Sequence, residues 1–270
     1  MATFYSNPRR ALKNGFLAVV FIFAAGNVFA DKPISPTNQI FAARAEAEFH
    51  RAQKQFESDT NNSTNAWQFA RACFDFADFA TNKTGRAAIA RLGIAACRQL
   101  LARDSNSASG YYYLGQNSGQ LARAEAPSLA AYKLVREMER EFKTADDLNS
   151  NLDFAGPARS LGLLYRDAPG WPFSIGSRRK ARDFLERAAQ IAPDFPENSL
   201  NLAESFLKWN EPASAKKELN ALDALWSKAQ KQFAGEKWEQ SWADWTARRA
   251  AAREKLAAMS ESAQSPRDER

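Results

Sequence analysis

Few residues in this sequence could do acid-base, nucleophilic or metal chemistry. His50 is the only histidine, and Cys73 and Cys97 are the only cysteines. His50 has no second histidine with which to share a metal ion, so we expect it to be a solvated surface residue. The sequence contains no phosphate-binding glycine loop and no cluster with metal-ligand spacing, and its carboxylates lie on charged helix faces. We therefore expect a protein that is not an enzyme and that uses no cofactor or metal ion.

The two cysteines belong to neighbouring helices of one predicted hairpin. Antiparallel helices can bring two α carbons within the ~4 to 7 Å that a disulfide needs. The Cys-x-x-Cys spacing of redox-active pairs is absent. Cys73 and Cys97 are therefore a candidate disulfide in an oxidising compartment, with two buried free thiols as the alternative.

The most distinctive candidate binding residues lie between residues 167 and 180. Two prolines limit the backbone freedom of this segment, which combines apolar and basic side chains: Trp171, Phe173, Ile175, Arg178, Arg179 and Lys180. In one interpretation the segment is a loop that binds a partner. In the other, its aromatic side chains fold back and plug a helical hairpin while Ser177 caps the next helix.

Small residues at a fixed period predict the elements that position these side chains. Ala203 and Ala215 lie 12 residues apart and Ala181 and Ala203 lie 22 apart, which together make 34. A period of about 34 residues is typical of the tetratricopeptide (TPR) repeat, a hairpin of two helices. Gly93 and Gly115 again lie 22 residues apart. Residues without bulk at these positions let neighbouring helices approach closely.

The predicted fold class is all-α, a TPR-like solenoid of about four helical hairpins. We divide the chain into a signal peptide (residues 1–30), a leader and N-terminal helix (31–61), the TPR-like array (62–230), a tryptophan-rich capping helix (231–259) and a disordered tail (260–270). Trp238, Trp242 and Trp245 share one face of the capping helix. They either hide the open end of the array or form a ligand-stacking box.

The first 30 residues have the pattern of a secretory signal. Arg9, Arg10 and Lys13 precede an apolar run over residues 15–25, and small residues surround a cleavage point after Ala30. The run is short for a membrane span. Removal of this segment lowers the formal net charge from +6 to +3, which is too small to indicate a nucleic-acid partner. We expect a periplasmic or secreted protein that does not span a membrane after cleavage.

Unequal spacing within the hairpins points to one edge of the solenoid. Gly115 and Met138 lie 23 residues apart and Gly162 and Ala181 lie 19 apart, against 12 in the last hairpin. We expect the extra residues in loops inside the hairpins, where binding rims form. The concave face is the second candidate surface, with the residues Tyr112, Gln116, Arg159, Leu163, Arg166, Leu200 and Glu204.

Several segments together resemble the TPR-like T-component of tripartite ATP-independent periplasmic (TRAP) transport systems, the TatT family. They are residues 156–157 (GP), 161–165 (LGLLY), 168–172 (APGWP), 180–182 (KAR) and 192–194 (APD). The resemblance spans residues 62–230. It implies a periplasmic α-helical protein, often a lipid-anchored trimer, with a pore or cavity and an association with the transporter's solute-binding protein. This sequence lacks the cysteine that would carry a lipid anchor.

The expected function is a non-catalytic extracytoplasmic scaffold that binds a protein partner. The resemblance suggests that this partner is an extracytoplasmic solute-binding protein of a TRAP-type system. The alternative is a periplasmic carrier or conduit for a small, partly apolar ligand. In that case Trp171, Tyr112 and Tyr165 would line a cavity.

Overall fold

The computed structural model describes residues 36–264. The predicted signal peptide, most of the leader and residues 265–270 lie outside the described residues. The described part of the chain contains no β-strand. Its helices are α1 (Pro36–Ser58), α2 (Ser63–Ala77), α3 (Lys83–Leu101), α4 (Ala108–Glu125), α5 (Leu129–Leu148), α6 (Gly156–Asp167), α7 (Arg178–Ile191), α8 (Pro196–Lys208), α9 (Pro212–Gln232), a 3-10 helix (Glu236–Trp238) and α10 (Glu239–Gln264).

Four helical hairpins form the array, in which α2 packs on α3, α4 on α5, α6 on α7 and α8 on α9. Successive hairpins stack because α4 also contacts α2 and α3, α6 contacts α5, and α8 contacts α7. The N-terminal helix α1 packs on α2, and α10 covers α8 and α9 at the other end. The all-α TPR-like solenoid predicted from the repeat spacing is therefore confirmed.

Glycines bring the two helices of a hairpin together. A Cβ placed on Gly162 would lie 2.6 Å from Cγ of Leu185, and one placed on Gly115 would lie 2.5 Å from Cε1 of Phe142. Both distances are far shorter than van der Waals contact, so any larger residue would force the helices apart. These positions explain why small residues recur with the repeat period.

Side-chain caps and prolines fix where the helices begin. The capping side chains that accept backbone N–H groups are Asn62, Asn82, Ser107, Ser128 and Ser177, for α2, α3, α4, α5 and α7. Each cap contributes about 1 kcal/mol. The helices α6, α8 and α9 instead carry a proline in their first turn, where the missing N–H would have had no helical partner.

The second hairpin differs from the expectation that extra residues gather in loops. Its helices are long, with 18 residues in α4 and 20 in α5, and residues 126–128 alone connect them. The expectation is wrong here because residues 129–148 are rich in Ala, Leu, Arg, Glu and Lys, which extend a helix. The third hairpin has the long connection, residues 168–177.

The C-terminal boundaries also differ from those predicted. Helix α9 extends to Gln232, and Gly235, with a φ of 96°, separates it from the 3-10 helix and α10. Residues 260–264 are helical instead of part of a polar tail. The hydroxyl of Ser260 donates to the carbonyl oxygen of Leu256 at 3.0 Å, one turn earlier.

Across residues 36–264 we find no helix with both the length and the apolar composition that a membrane span requires.

Candidate partner-binding surfaces

The loop between α6 and α7 is closed by its own backbone hydrogen bonds. The N–H of Gly176 donates to the carbonyl of Pro169 at 2.8 Å, and the N–H of Ser177 donates to the carbonyl of Tyr165 at 2.9 Å. Farther out, the carbonyl of Gly170 accepts two N–H groups at 3.0 and 3.2 Å. A side chain on Gly176 would collide with backbone carbonyl oxygens, so glycine is required where the two arms of the loop meet. The loop therefore has a defined shape.

Two aromatic side chains of this loop point into solvent. Trp171 is 89% exposed and Phe173 is 63% exposed, whereas Ile175 packs against the main core cluster. Ser177 caps α7 as expected. The interpretation in which the aromatics plug the hairpin does not hold for Trp171 and Phe173, because only Ile175 turns inward.

A third large apolar side chain is strongly exposed in the preceding hairpin. Leu129, at the end of the loop in the second hairpin, is 81% exposed. Leu129, Trp171 and Phe173 are the three most exposed large hydrophobic side chains among the described residues. Because the loops inside successive hairpins open on one edge of a stacked array, we call these three residues the apolar edge.

The two arginines after the loop have different roles. Arg178 donates to Glu211 and to the carbonyl of Trp209, and its guanidinium lies 5.5 Å from the centre of the Trp209 ring. It therefore joins the third hairpin to the fourth. The side chain of Arg179 is 83% exposed, and its carboxylate neighbour Asp183 lies 3.8 Å away. Of these two arginines, Arg179 is the more exposed and has the weaker intramolecular partner.

Positive charge remains in excess beside the apolar edge. Residues 166–183 together with Lys208 and Glu211 contain six basic and three acidic side chains. Glu211 is bound by Arg178 and by Arg182, and its pKa is lowered chiefly by the hydrogen bond from Arg178. Because basic side chains still outnumber acidic ones, this surface carries a net positive charge and attracts negative charge.

The concave residues predicted to bind a partner instead connect the first helices of successive hairpins. Arg159 is buried and donates to the carbonyl of Phe154 and to Oδ1 of Asn198, both at 3.1 Å. The Tyr112 hydroxyl donates to Oδ2 of Asp153 at 2.8 Å, and burial raises the pKa of that hydroxyl well above its ordinary value.

The remaining concave residues are also engaged. Gln116 donates to the Tyr112 hydroxyl at 2.9 Å, and Arg166 donates to Asp167 at 2.7 Å and to Ser205 at 3.2 Å. Leu200 is fully buried, while Leu163 and Glu204 are partly buried. Tyr112, Arg159 and Leu200 are therefore core residues and not free binding positions.

A strained turn lies at the centre of this network. Asp153, Phe154 and Ala155 have φ values of 49°, 55° and 64°, in the left-handed region that residues with a side chain seldom adopt. Nδ2 of Asn198 donates to the carbonyl of Phe154 at 3.1 Å, and Arg159 binds the same carbonyl. Asp153 and Asn198 could not be identified from the sequence, because a left-handed turn without glycine has no sequence signal.

Cys73 and Cys97 are buried free thiols in this structure, the second of the two alternatives. Burial raises the pKa of both thiols. Asp75 raises the pKa of Cys73 further, and Cys73 raises that of Cys97. Protonated, buried thiols are poor nucleophiles. The disulfide stays a prediction.

The residues proposed to line a ligand cavity do not come together. Trp171 is exposed, whereas Tyr112 and Tyr165 are buried and bonded through their hydroxyls to Asp153 and Glu139. Within the described residues no three His, Cys, Asp or Glu side chains are placed to hold a metal ion.

The capping tryptophans have two different environments. Trp245 is fully buried and lies 5.3 Å from Phe195 and 6.4 Å from Phe233, ring centre to ring centre. Trp238 and Trp242 are partly exposed. Trp245 covers the end of the core, and Trp238 and Trp242 remain partly accessible.

Comparison with solved structures identifies TPR proteins. TTC0263, a thermophilic TPR protein of Thermus thermophilus, is 20% identical with a TM-score of 0.56, covering 79% of this chain and 93% of that chain. MamA is 17% identical (TM-score 0.48; 74% and 99% covered), and yeast Tom70 is 12% identical (TM-score 0.32; 87% and 64% covered). Likeness at these identities shows the fold alone. No family model matches the sequence, and the search of curated proteins finds no significant match.

Proposed function

We propose that this chain is a non-catalytic extracytoplasmic scaffold that binds a protein partner through the apolar edge. The observation that carries the proposal is Trp171, which is 89% exposed on a loop closed by its own backbone. Tryptophan is enriched among the residues that dominate binding energy at protein interfaces. Because the loop is already ordered, little conformational entropy is lost when it binds.

The chemistry of the edge specifies the kind of partner. Trp171 and Phe173 require an apolar recess, and Arg179 with its basic neighbours requires acidic residues around that recess. Complementary charge raises the association rate and excludes wrong partners. Within the TatT resemblance this partner is the solute-binding protein of a TRAP-type transport system, and a trimer would present three such edges.

A native affinity experiment tests the proposal. The tagged chain, exported and processed in its own host, is captured from the cell envelope, and the retained proteins are identified by mass spectrometry. We expect an extracytoplasmic solute-binding protein that is lost with the double variant Trp171→Ala, Phe173→Ala. Leu92→Ala is the matched control, because Leu92 is 44% exposed on α3, away from the loops inside the hairpins.

Charge reversal tests the electrostatic part of the interaction separately from the apolar part. Arg179→Glu should weaken capture and reduce its dependence on salt, because the Arg179 side chain is exposed and its ion pair with Asp183 is loose, at 3.8 Å. If neither the double variant nor Arg179→Glu changes capture, the proposed edge would be overturned. If the partner is recovered only from the cytoplasmic fraction, bound to a chain that still carries residues 1–30, the extracytoplasmic location would be overturned.

A further inference from the structure

A recess of about 390 Å³ lies where the chain passes from α9 to α10. Its lining includes Phe233, Gly235, Glu239 and Trp242. Apart from its chain neighbours, no heavy atom of the described residues lies within 4 Å of the place that a Cβ on Gly235 would take, so the mouth is open there. The recess is shallow and open to solvent, and its volume lies at the lower end of the range of small-molecule sites.

The aromatic wall of the recess is held in place. The indole N–H of Trp242 donates to the carbonyl of Phe233 at 2.6 Å. The rings of Trp226 and Trp245 meet Trp242 edge-on, with centres 5.1 and 5.0 Å away. Trp242 lines the recess with its N–H already satisfied, and aromatic rings attract cations.

A guanidinium of the chain itself binds a carboxylate of the recess lining. Arg44 of α1 donates from Nη1 to Oε2 of Glu239 at 2.6 Å, and its Nε lies 3.0 Å from Oε1 of Glu236. The three side chains are 40%, 54% and 73% exposed for Arg44, Glu239 and Glu236. Exposed ion pairs contribute about 0 to 1 kcal/mol, so a competing cation can replace Arg44.

We propose that this recess binds a small organic cation with a guanidinium or alkylammonium group, which stacks on Trp242 and replaces Arg44 at Glu239. Aromatic faces beside a carboxylate are the chemistry that recognises such cations. Arg44 and Glu239 lie 195 residues apart in sequence and join α1 to the capped end of the array. Ligand binding therefore breaks this link between α1 and the capped end. The site is independent of the protein partner at the apolar edge.

Calorimetric titration with argininamide acetylated at its α-amino group tests the site, with citrullinamide acetylated in the same way as the neutral matched ligand. Removal of the competitor in Arg44→Ala should tighten argininamide binding about two- to fivefold, the equivalent of one exposed ion pair. Glu239→Gln should weaken binding by at least a similar factor. Glu254→Gln, an exposed substitution on the same helix, should change nothing.

Hydrogen exchange supplies a second readout. Saturating argininamide should increase amide exchange in residues 38–48 of the unmodified chain and leave exchange of Arg44→Ala unchanged. Equal binding of citrullinamide, weaker binding to Arg44→Ala, or no binding at millimolar concentration to either form would overturn the proposal. The opposite effects expected for Arg44→Ala and Glu239→Gln cannot arise from a general loss of folding.

Discussion

The guanidinium of Arg159 lies 3.1 Å from Oδ2 of Asp153 and also binds the backbone carbonyl of that residue. One side chain therefore holds both the carboxylate and the backbone of a turn with left-handed φ. Through Asn198, at 3.1 Å, the same guanidinium reaches α8. The same buried guanidinium thus connects the turn before α6 to the fourth hairpin.

Replacement of that charge should be strongly destabilising. Arg159→Ala leaves the Asp153 carboxylate without its cation and the Asp153 carbonyl without its donor, so we expect the free energy of unfolding to fall by about 2 to 4 kcal/mol. Urea denaturation followed by circular dichroism measures the change. The exposed Arg179→Ala should stay within about 0.5 kcal/mol of the unmodified protein; similar losses for both variants would contradict the role of Arg159.

The glycine contacts give a prediction with an internal control. A methyl group on Gly162 would overlap Leu185 Cγ at 2.6 Å and approach its backbone nitrogen at 3.1 Å, so Gly162→Ala should cost about 1 to 3 kcal/mol. Gly85→Ala meets an ordinary contact of 3.4 Å with Asn82 and should be neutral or stabilise α3 by up to about 1 kcal/mol. Thermal melts compare the two. An unchanged melt for Gly162→Ala would show that the register of the third hairpin is wrong.

Glu141 predicts a pH dependence. Burial raises the pKa of this carboxyl from 4.5 to about 7, and repulsion from Glu137 adds to the effect; its Oε2 is buried with no hydrogen-bond partner among the described residues. The folded state therefore binds a proton that the unfolded state releases, so the free energy of unfolding falls as the pH rises between these two values.

Glu141→Gln should remove that pH dependence. We expect the variant to be more stable than the unmodified protein by about 1 to 3 kcal/mol above roughly pH 8, and nearly equal below roughly pH 4. Urea titrations at the two pH values measure the difference. Glu254→Gln is the exposed control, and a stability gain that is equal at both pH values would contradict the assigned cause.

The α6–α7 loop should tolerate substitution at its exposed aromatic positions. Trp171→Ala should change the free energy of unfolding by less than about 0.5 kcal/mol, because the side chain is 89% exposed. Ile175→Ala removes a side chain that packs on the core and should cost about 1 to 2 kcal/mol. Differential scanning calorimetry distinguishes the two, and the reverse order would restore the interpretation of Trp171 as a plug.

The cysteines should react slowly in the folded, reduced protein. Because burial raises the pKa of Cys73 and Cys97, a maleimide should label them only after unfolding. Intact mass before and after reduction tests the predicted disulfide separately, since its formation removes two hydrogens. Rapid labelling of the native protein would contradict the burial of the thiols.

The sequence by itself determined the helical hairpins. The period of the small residues depends on close contact between adjacent helices, and Gly115 and Gly162 make such contacts. The composition of residues 168–177 also indicated an unusual connection. These features are local, because they follow from residues within one or two hairpins, and local spacing is visible in a linear chain.

Only the tertiary structure decided which side chains remain available. Tyr112 and Arg159 are buried, and their polar groups are satisfied by Asp153 and Asn198 from other segments of the chain. In the α6–α7 loop, Ile175 packs on the core and Trp171 stays exposed. Arg178 and Arg179 are adjacent and identical, yet one binds Glu211 and the other faces solvent. Burial and charge pairing depend on distant residues, so residue type and spacing cannot specify them.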